Sequence, residues 1–183
     1  MPKKEIPKEA EPFVKILQQT QDELANIMDA LVVTTDSEGN LITEMSGIPK
    51  ACQMIRETED GLEGCEKSYA AAVGLFGKRE EPYIGPCHAG FTSIWVPLKV
   101  KGKIVGSITG CGGLPADMTE EKIREVYGEI ADKFGIKDKE KFIQEVINKK
   151  RITSEEEIKR RVALLSVTIS SLIENTCLQE IFK

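Results

Sequence analysis

Residues 92–109 place the tightest constraint on what this chain can become. Ile94, Val96, Leu98 and Val100 alternate with other residues, Lys101-Gly102-Lys103 interrupts them, and an apolar run resumes from Ile104 to Thr109. Alternation at period two on both sides of a glycine turn predicts two antiparallel strands, half-buried. Such a pair is not stable alone in water, so the remaining chain must supply more strands or helices to cover it. Pro97 cannot donate to a ladder and predicts a bulge or an edge. A second strand pair is expected upstream. Leu31-Val32-Val33-Thr34-Thr35 reads as a buried strand, Asp36-Ser37-Glu38-Gly39-Asn40 as a turn, and Leu41-Ile42-Thr43 as the returning strand.

Around the strands the apolar period becomes helical. Phe13, Ile16, Leu17, Leu24, Ile27 and Met28 predict an amphipathic helix over 11–29. Residues 49–77 predict two short helices broken near Asp60-Gly61. The second carries Leu62, Cys65, Tyr69, Val73 and Phe76 on one face, so Cys65 should point inward. Beyond Pro115 the pattern is all helical. Thr119 is a candidate N-cap, although Lys122 stands where a capping box has Glu or Gln. Met118, Ile123, Val126, Tyr127, Ile130 and Phe134 follow it, closed by Gly135, and Phe142, Ile143, Val146 and Ile147 make a further helix. The last helix, over about 153–182, carries Ile158, Val162, Leu165, Ile169 and Leu172 at steps of four and three, an a/d seam. That seam suits a homodimer or a helix packed against the N-terminal one, and Leu164, Val167 and Ile173 widen it. The expected fold is therefore α+β, an antiparallel sheet flanked by helices, with a long C-terminal helical tail. The chain divides into an N-terminal helix (1–30), a core (31–115) and the tail (116–183).

A chain of 183 residues makes one domain with a substantial core. Acidic residues outnumber basic ones, 30 to 25, and the net charge of −5 argues against a direct nucleic-acid surface. The dense basic runs, Lys149-Lys150-Arg151 and Lys159-Arg160-Arg161, are separated by Glu155, Glu156 and Glu157, as on a solvated helix face. Met1-Pro2-Lys3-Lys4-Glu5 has no apolar segment behind it, and no apolar stretch approaches the ~18 residues of a membrane span. A cytoplasmic location is expected, and there clustered cysteines signify metal binding or redox chemistry more often than disulfides.

Four of the five cysteines, Cys52, Cys65, Cys87 and Cys111, fall in the middle of the chain, and Cys87-His88-Ala89-Gly90 holds its single histidine; Cys177 stands apart. Gaps of 12, 21 and 23 residues contain no Cys-x2-Cys knuckle, so any ligand set must be assembled by the fold. Four thiolates suffice for zinc or an iron–sulfur cluster, and three with His88 for a mixed zinc site. Covalent haem lacks its Cys-x-x-Cys-His motif, which leaves haem only an axial His88 or cysteine. Alternatively these cysteines serve as small buried hydrophobes, which suits Cys65 on its apolar helix face. Cys87 in a turn and Cys111 in Gly110-Cys111-Gly112-Gly113 make poor core. Those glycines permit close approach to a ligand, or simply mark the strand's exit. No catalytic residue is assigned, because Cys87 and His88 are adjacent and lack an orienting third member. Walker and Gly-x-Gly-x-x-Gly loops are also absent.

The order of these pieces resembles the PocR sensory domain, a PAS-like ligand-binding module of bacterial and archaeal regulators. The resemblance runs over about residues 11–115. It is carried by Leu31-Val32-Val33-Thr34-Thr35-Asp36 with Gly39 and Ile42-Thr43, by Cys52 with Ile55-Arg56, by Gly61 and Gly64-Cys65, by Cys87-His88-Ala89-Gly90, and by Val96-Pro97-Leu98 through Gly102 to Ile104-Val105-Gly106. It implies a PAS/GAF-like sheet and a sensory role; the family's domain usually precedes an output module, whereas this chain stops at Lys183, so the expectation is a stand-alone sensor that signals through a terminal helix to an unidentified output protein. Its pocket would lie between sheet and cysteine helices, with a small-molecule ligand at Tyr69, His88 and Trp95. Cys111 departs from the pattern, where the family is expected to have a non-cysteine residue, often glutamine. It would complete a metal set of Cys52, Cys65, Cys87 and Cys111. The alternatives are a metal- or thiol-dependent enzyme acting on a small metabolite, and a scaffold subunit using its helical tail.

Overall fold

The computed structural model describes residues 2–74, 81–115, 117–149, 151–152, 155–174 and 181. In chain order the elements are α1 (Glu11–Met28), β1 (Leu31–Asp36), α2 (Lys50–Arg56), α3 (Glu59–Val73), β2 (Tyr83–Pro86), β3 (Thr92–Val100), β4 (Lys103–Pro115), α4 (Glu120–Lys133), α5 (Lys139–Ile147), β5 (Arg151–Ile152) and α6 (Glu155–Glu174). Phe76, Gly77, Cys177 and Phe182 lie outside the described residues.

Lys101 and Gly102 both adopt positive φ, 51° and 78°, the geometry that matches a two-residue turn to strand twist. β3 and β4 therefore pair from Val100↔Lys103 to Thr92↔Gly113. β1 adds antiparallel to the other edge of β4 and β2 to the outer edge of β3, giving the order β1-β4-β3-β2. Pro97 meets the expectation of an edge, and the nearest irregularity falls after the next residue. β2 covers β3 only from Thr92 to Trp95, which leaves Pro97 on an edge, and the register shifts between Leu98 and Lys99. The result is the expected α+β, PAS-like antiparallel sheet flanked by helices.

The sheet has two apolar faces. Val32, Ile94, Val96, Leu98 and Ile108 pack under α1 and α6 with Leu17, Leu24, Leu165, Ile169 and Ile173. On the other face Leu31 and Val33 meet Tyr69 and Cys65 of α3. A third cluster joins Cys52 and Ile55 of α2, Ala89 and Phe91, and the α4–α5 pair through Tyr127, Phe134 and Phe142. The a/d seam of α6 is thus buried within the chain, while Leu164 and Val167 are exposed.

Four local expectations change. Leu41-Ile42-Thr43 forms isolated bridges rather than a strand, Thr35↔Leu41 and Val32↔Ser46, with two more residues between them than on β1. The surplus is held by α1 instead: the Gln21 amide donates to Ser46 Oγ at 2.7 Å and to the Glu44 carbonyl at 2.8 Å, and its oxygen accepts from Thr34 and Thr43 at 2.9 and 2.6 Å. The buried stripe of α1 accordingly runs Leu17, Gln21, Leu24, Ala25, Met28, leaving Ile16 and Ile27 exposed. Between α2 and α3 the break falls at Glu57-Thr58, where Thr58 Oγ1 accepts from the Gly61 amide at 3.2 Å. The tail is not all helical, since β5 pairs parallel to the end of β4 (Leu114↔Arg151).

Two cations from the tail meet the C-terminal end of α1. Lys149 Nζ, buried, donates to the Asp29 carbonyl at 3.0 Å, and Arg161 Nη1 donates to the Met28 carbonyl at 2.7 Å. Positive groups at helix C-termini complement the unpaired carbonyls there. No described helix is long and apolar enough to cross a membrane.

Candidate functional site

β2 passes into β3 through a tight turn over Cys87-His88-Ala89-Gly90. The Cys87 amide donates to the Phe91 carbonyl at 2.7 Å and the Gly90 amide to the Cys87 carbonyl at 3.0 Å. Ala89 and Phe91 are fully buried and anchor the turn, which directs Cys87 and His88 toward α3. There the imidazole lies directly on Gly64: a Cβ at that position would sit 2.3 Å from His88 Cδ2. The ring is further fixed by Ser68 Oγ, 3.4 Å from Nδ1, and by an edge-on contact with Phe134 at 5.4 Å between centroids. Gly64-Cys65 and Cys-His-Ala-Gly are thus halves of one packing unit.

Cys111 projects from β4, and the next residue, Gly112, has φ of 106°. A Cβ there would lie 3.0 Å from Pro49 and 3.5 Å from the Cys52 sulfur, so the end of β4 passes against the start of α2 only with glycine at that position. The four thiols line one small cavity of about 40 Å3 between the sheet and α2 and α3. Leu31, Ile55, Tyr69 and Phe91 supply its apolar wall, and Arg56, Ser68, His88, Ser93 and Thr109 its polar groups. All the expected site residues except Trp95 meet here. Trp95 is buried on β3, in register with Thr109 and Tyr83, outside the cavity lining. A wider groove of about 470 Å3 beside α2 and α5 is lined by Lys50, Glu57, Lys137, Lys141 and Glu145, charges of both signs, and includes no cysteine.

The thiols are not equivalent. Cys87 accepts hydrogen bonds from the Cys111 thiol, from His88 and from the Ala89 and Phe91 amides, which outweigh burial and bring it from 9.0 down to about 5. It is therefore a thiolate at neutral pH. Cys111, the donor in that pair and more deeply buried, is pushed well above the ordinary thiol value. Burial likewise pushes Cys52 up to about 12. The sulfurs of Cys65 and Cys87 raise His88 from 6.5 to about 9. Cys65, 4.0 Å from Nε2, is the larger cause and Cys87 the second. Tyr127, also fully buried behind the turn, has a hydroxyl with no hydrogen-bond partner among the described residues.

Among the described residues no three Cys, His, Asp or Glu side chains converge closely enough to hold a metal ion. The arrangement is instead a thiolate–imidazolium pair with a neutral thiol donor, at the wall of a mostly apolar cavity.

The family model described as the sensory domain found in PocR matches residues 13–177. The chain belongs to the PocR sensory-domain family. The match extends past the residues 11–115 on which the resemblance rests and includes α4, α5 and α6. A curated relative, the regulatory protein PocR of Salmonella typhimurium, is 24% identical over 166 residues, covering 91% of this chain and 51% of the relative. The chain thus spans about half the length of that protein. No solved structure matches it. Membership gives the chain a sensory, ligand-binding role, and part of the residues that carry the resemblance, among them Cys52, Ile55-Arg56, Cys65 and Cys87-His88-Ala89, line the cavity.

Sequence reasoning missed Ser68, Ser93 and Thr109. Ser68 is one helical step of three from Cys65, and Ser93 and Thr109 share the face of the sheet with Cys111; only the cross-strand register Ser93↔Cys111 reveals the second pairing.

Proposed function

We propose that this PocR-type domain senses a small molecule held in the thiol-lined cavity, with the Cys87 thiolate and the His88 imidazolium as its polar anchors. The observation that supports this is convergence: Cys52, Gly64-Cys65 and Cys87-His88 come from three separate stretches and meet at one enclosed, largely apolar space. Small-ligand sites have this composition, apolar walls with a few placed polar groups. A cavity of about 40 Å3 takes a few non-hydrogen atoms as it stands, so the ligand is small or displaces the α3 wall.

Signal would pass through the sheet. Leu31, Thr109 and Cys111 face the cavity, while their neighbours Val32 and Ile108 pack under α1 and α6. A ligand biases those helices only by binding one arrangement more tightly. The output protein, or a second copy of the chain, would meet the exposed Ile16, Ile27, Leu164 and Val167 of these helices.

The test is thermal shift of the full chain against a panel of small neutral and anionic metabolites, with Ser93→Leu filling the cavity. Compounds that raise the wild-type Tm and leave S93L unmoved support the site. A panel that moves neither chain, or both equally, overturns it.

Four thiols at one cavity also favour a second occupant, a cysteine-ligated zinc or iron–sulfur centre. The sulfurs as placed do not form its ligand set, and binding would have to draw them together. Elemental analysis and an absorption spectrum of anaerobically purified chain decide between the two. Serine at Cys87 separates both from the enzyme alternative, which predicts loss of turnover in an intact protein.

A further inference from the structure

Arg56 and Tyr69 belong to two spaces at once. Both line the thiol cavity of about 40 Å3, and both also line a wider groove of about 350 Å3 with Leu41, Met45 and Ile48 as its apolar wall. Among the described residues no other side chain is shared between the two linings. The groove is therefore the approach to the cavity on this side, and Arg56 and Tyr69 stand at the junction.

Arg56 is also unlike the other arginines whose contacts are described. Arg124 holds Glu120 and Glu140, Arg160 holds Glu156, and Arg161 holds Glu157 and the Met28 carbonyl. Arg56 is half-buried, yet among the described residues its guanidinium makes no hydrogen bond and no ion pair. It ends α2, where a cation suits the helix dipole, but no carbonyl of that helix accepts from it. A charge drawn part-way out of water without a partner is costly, and a planar carboxylate is the group that a guanidinium fork pairs with at two points. The two carboxylates in the groove lining, Glu44 and Glu66, are on exposed residues, and Glu44 is already taken by Lys3. Arg56 is the one cation in that lining, so a monoanion balances it and a phosphate dianion does not.

We infer that Arg56 is the residue that recognises the ligand's acid group, and that the ligand is a short aliphatic monocarboxylate. Its carboxylate lies on Arg56 at the junction, and its tail passes Tyr69 into the cavity. The cavity admits about three non-hydrogen atoms by the volume one water needs, which sets the length of the tail. This rests on the cavity being the ligand site, and it narrows the ligand's class from small molecule to small acid.

The test titrates the full chain with acetate, propionate and butyrate, and with butyramide as the uncharged counterpart, at constant ionic strength, reading Tm. Butyrate should raise Tm to saturation, and butyramide should bind roughly tenfold or more weakly, the scale of a lost charge-assisted hydrogen bond. That comparison is made on the wild-type chain and needs no variant. Arg56→Met keeps the length of the side chain and should bind butyrate no better than butyramide, while Arg56→Lys, with the charge but without the fork, should fall between. Ser93→Leu, which fills the cavity and leaves Arg56 in place, should lose butyrate as well. Equal responses to butyrate and butyramide, both lost in S93L and unchanged in R56M, overturn the inference and leave the cavity standing as the site. Butyrate binding that needs Arg56 but ignores S93L overturns the cavity reading and the inference with it. A wild-type chain that answers none of the three acids overturns the inference.

Discussion

Cys87 and His88 titrate in opposite senses, and together they give stability an unusual pH profile. Lowering Cys87 from 9.0 to about 5 contributes stability that is complete above 9 and lost as pH falls to 5. Raising His88 from 6.5 to about 9 contributes stability that is complete below 6.5 and lost as pH rises through 9. Between 6.5 and 9 the gain from one cancels the loss from the other, since folding there moves a proton from thiol to imidazole without net uptake. The pair therefore predicts a plateau from pH 6.5 to 9 and a decline from 6.5 to 5, which urea melts across that range will show. Cys87→Ser should remove the decline. Gly64 is the second residue-scale test. Alanine there must push the imidazole aside, at a cost of about 1–3 kcal/mol by the usual scale of overpacking, and should slow alkylation of Cys87 at pH 6. At this scale the sequence was informative about which residues carry chemistry, because Cys-His-Ala-Gly and the lone histidine are visible as letters. It was silent on their ionisation. That depends on backbone amides and on a thiol 24 positions away, which no local pattern encodes.

Elements were legible where a period repeats and obscure where side chains replace the ladder. The Lys101-Gly102 hairpin and α6 follow their patterns because each buries a regular face. Residues 41–46 do not, since Gln21, Thr34, Thr43 and Ser46 bond to one another in place of a second strand. Gln21 reads as a break in an apolar stripe, yet it is fully buried with four partners. Gln21→Ala strands several buried polar groups, which predicts a loss on the order of 3 kcal/mol by chemical denaturation, against near neutrality for the exposed Ile27→Ala. α6 predicts differently. Leu165 and Ile169 are fully buried beneath α1 and over β3, so Leu165→Ala should cost about 2–5 kcal/mol whatever the oligomeric state. Light scattering of Val167→Asp against wild type tests whether the exposed side of the same helix joins two copies. A dimer through that side becomes monomeric in the variant.

Across the whole molecule the termini enclose the sheet from the side opposite the cavity. α1 precedes the strands and α6 follows them, yet they pack together over β3 and β1. Reading residues 31–115 as the core follows naturally from where the strands and cysteines fall, because hydrophobic pattern identifies which faces need cover and not which distant segment supplies it. The family match over 13–177 and the shared core agree that the helices belong to the same unit.

Lys149 and Arg161 show what this means at the bench. Both reach back to the carbonyls of Met28 and Asp29, so the chain's late residues finish a helix made at its beginning. During synthesis the last turn of α1 has to wait, with the part of its apolar side that α6 covers still open, until nearly the whole domain has left the ribosome. A fragment ending at Pro115 is frozen at that stage: it should be soluble only with detergent or a chaperone, and limited proteolysis should cut first within 11–28, the helix that the intact chain protects from both ends.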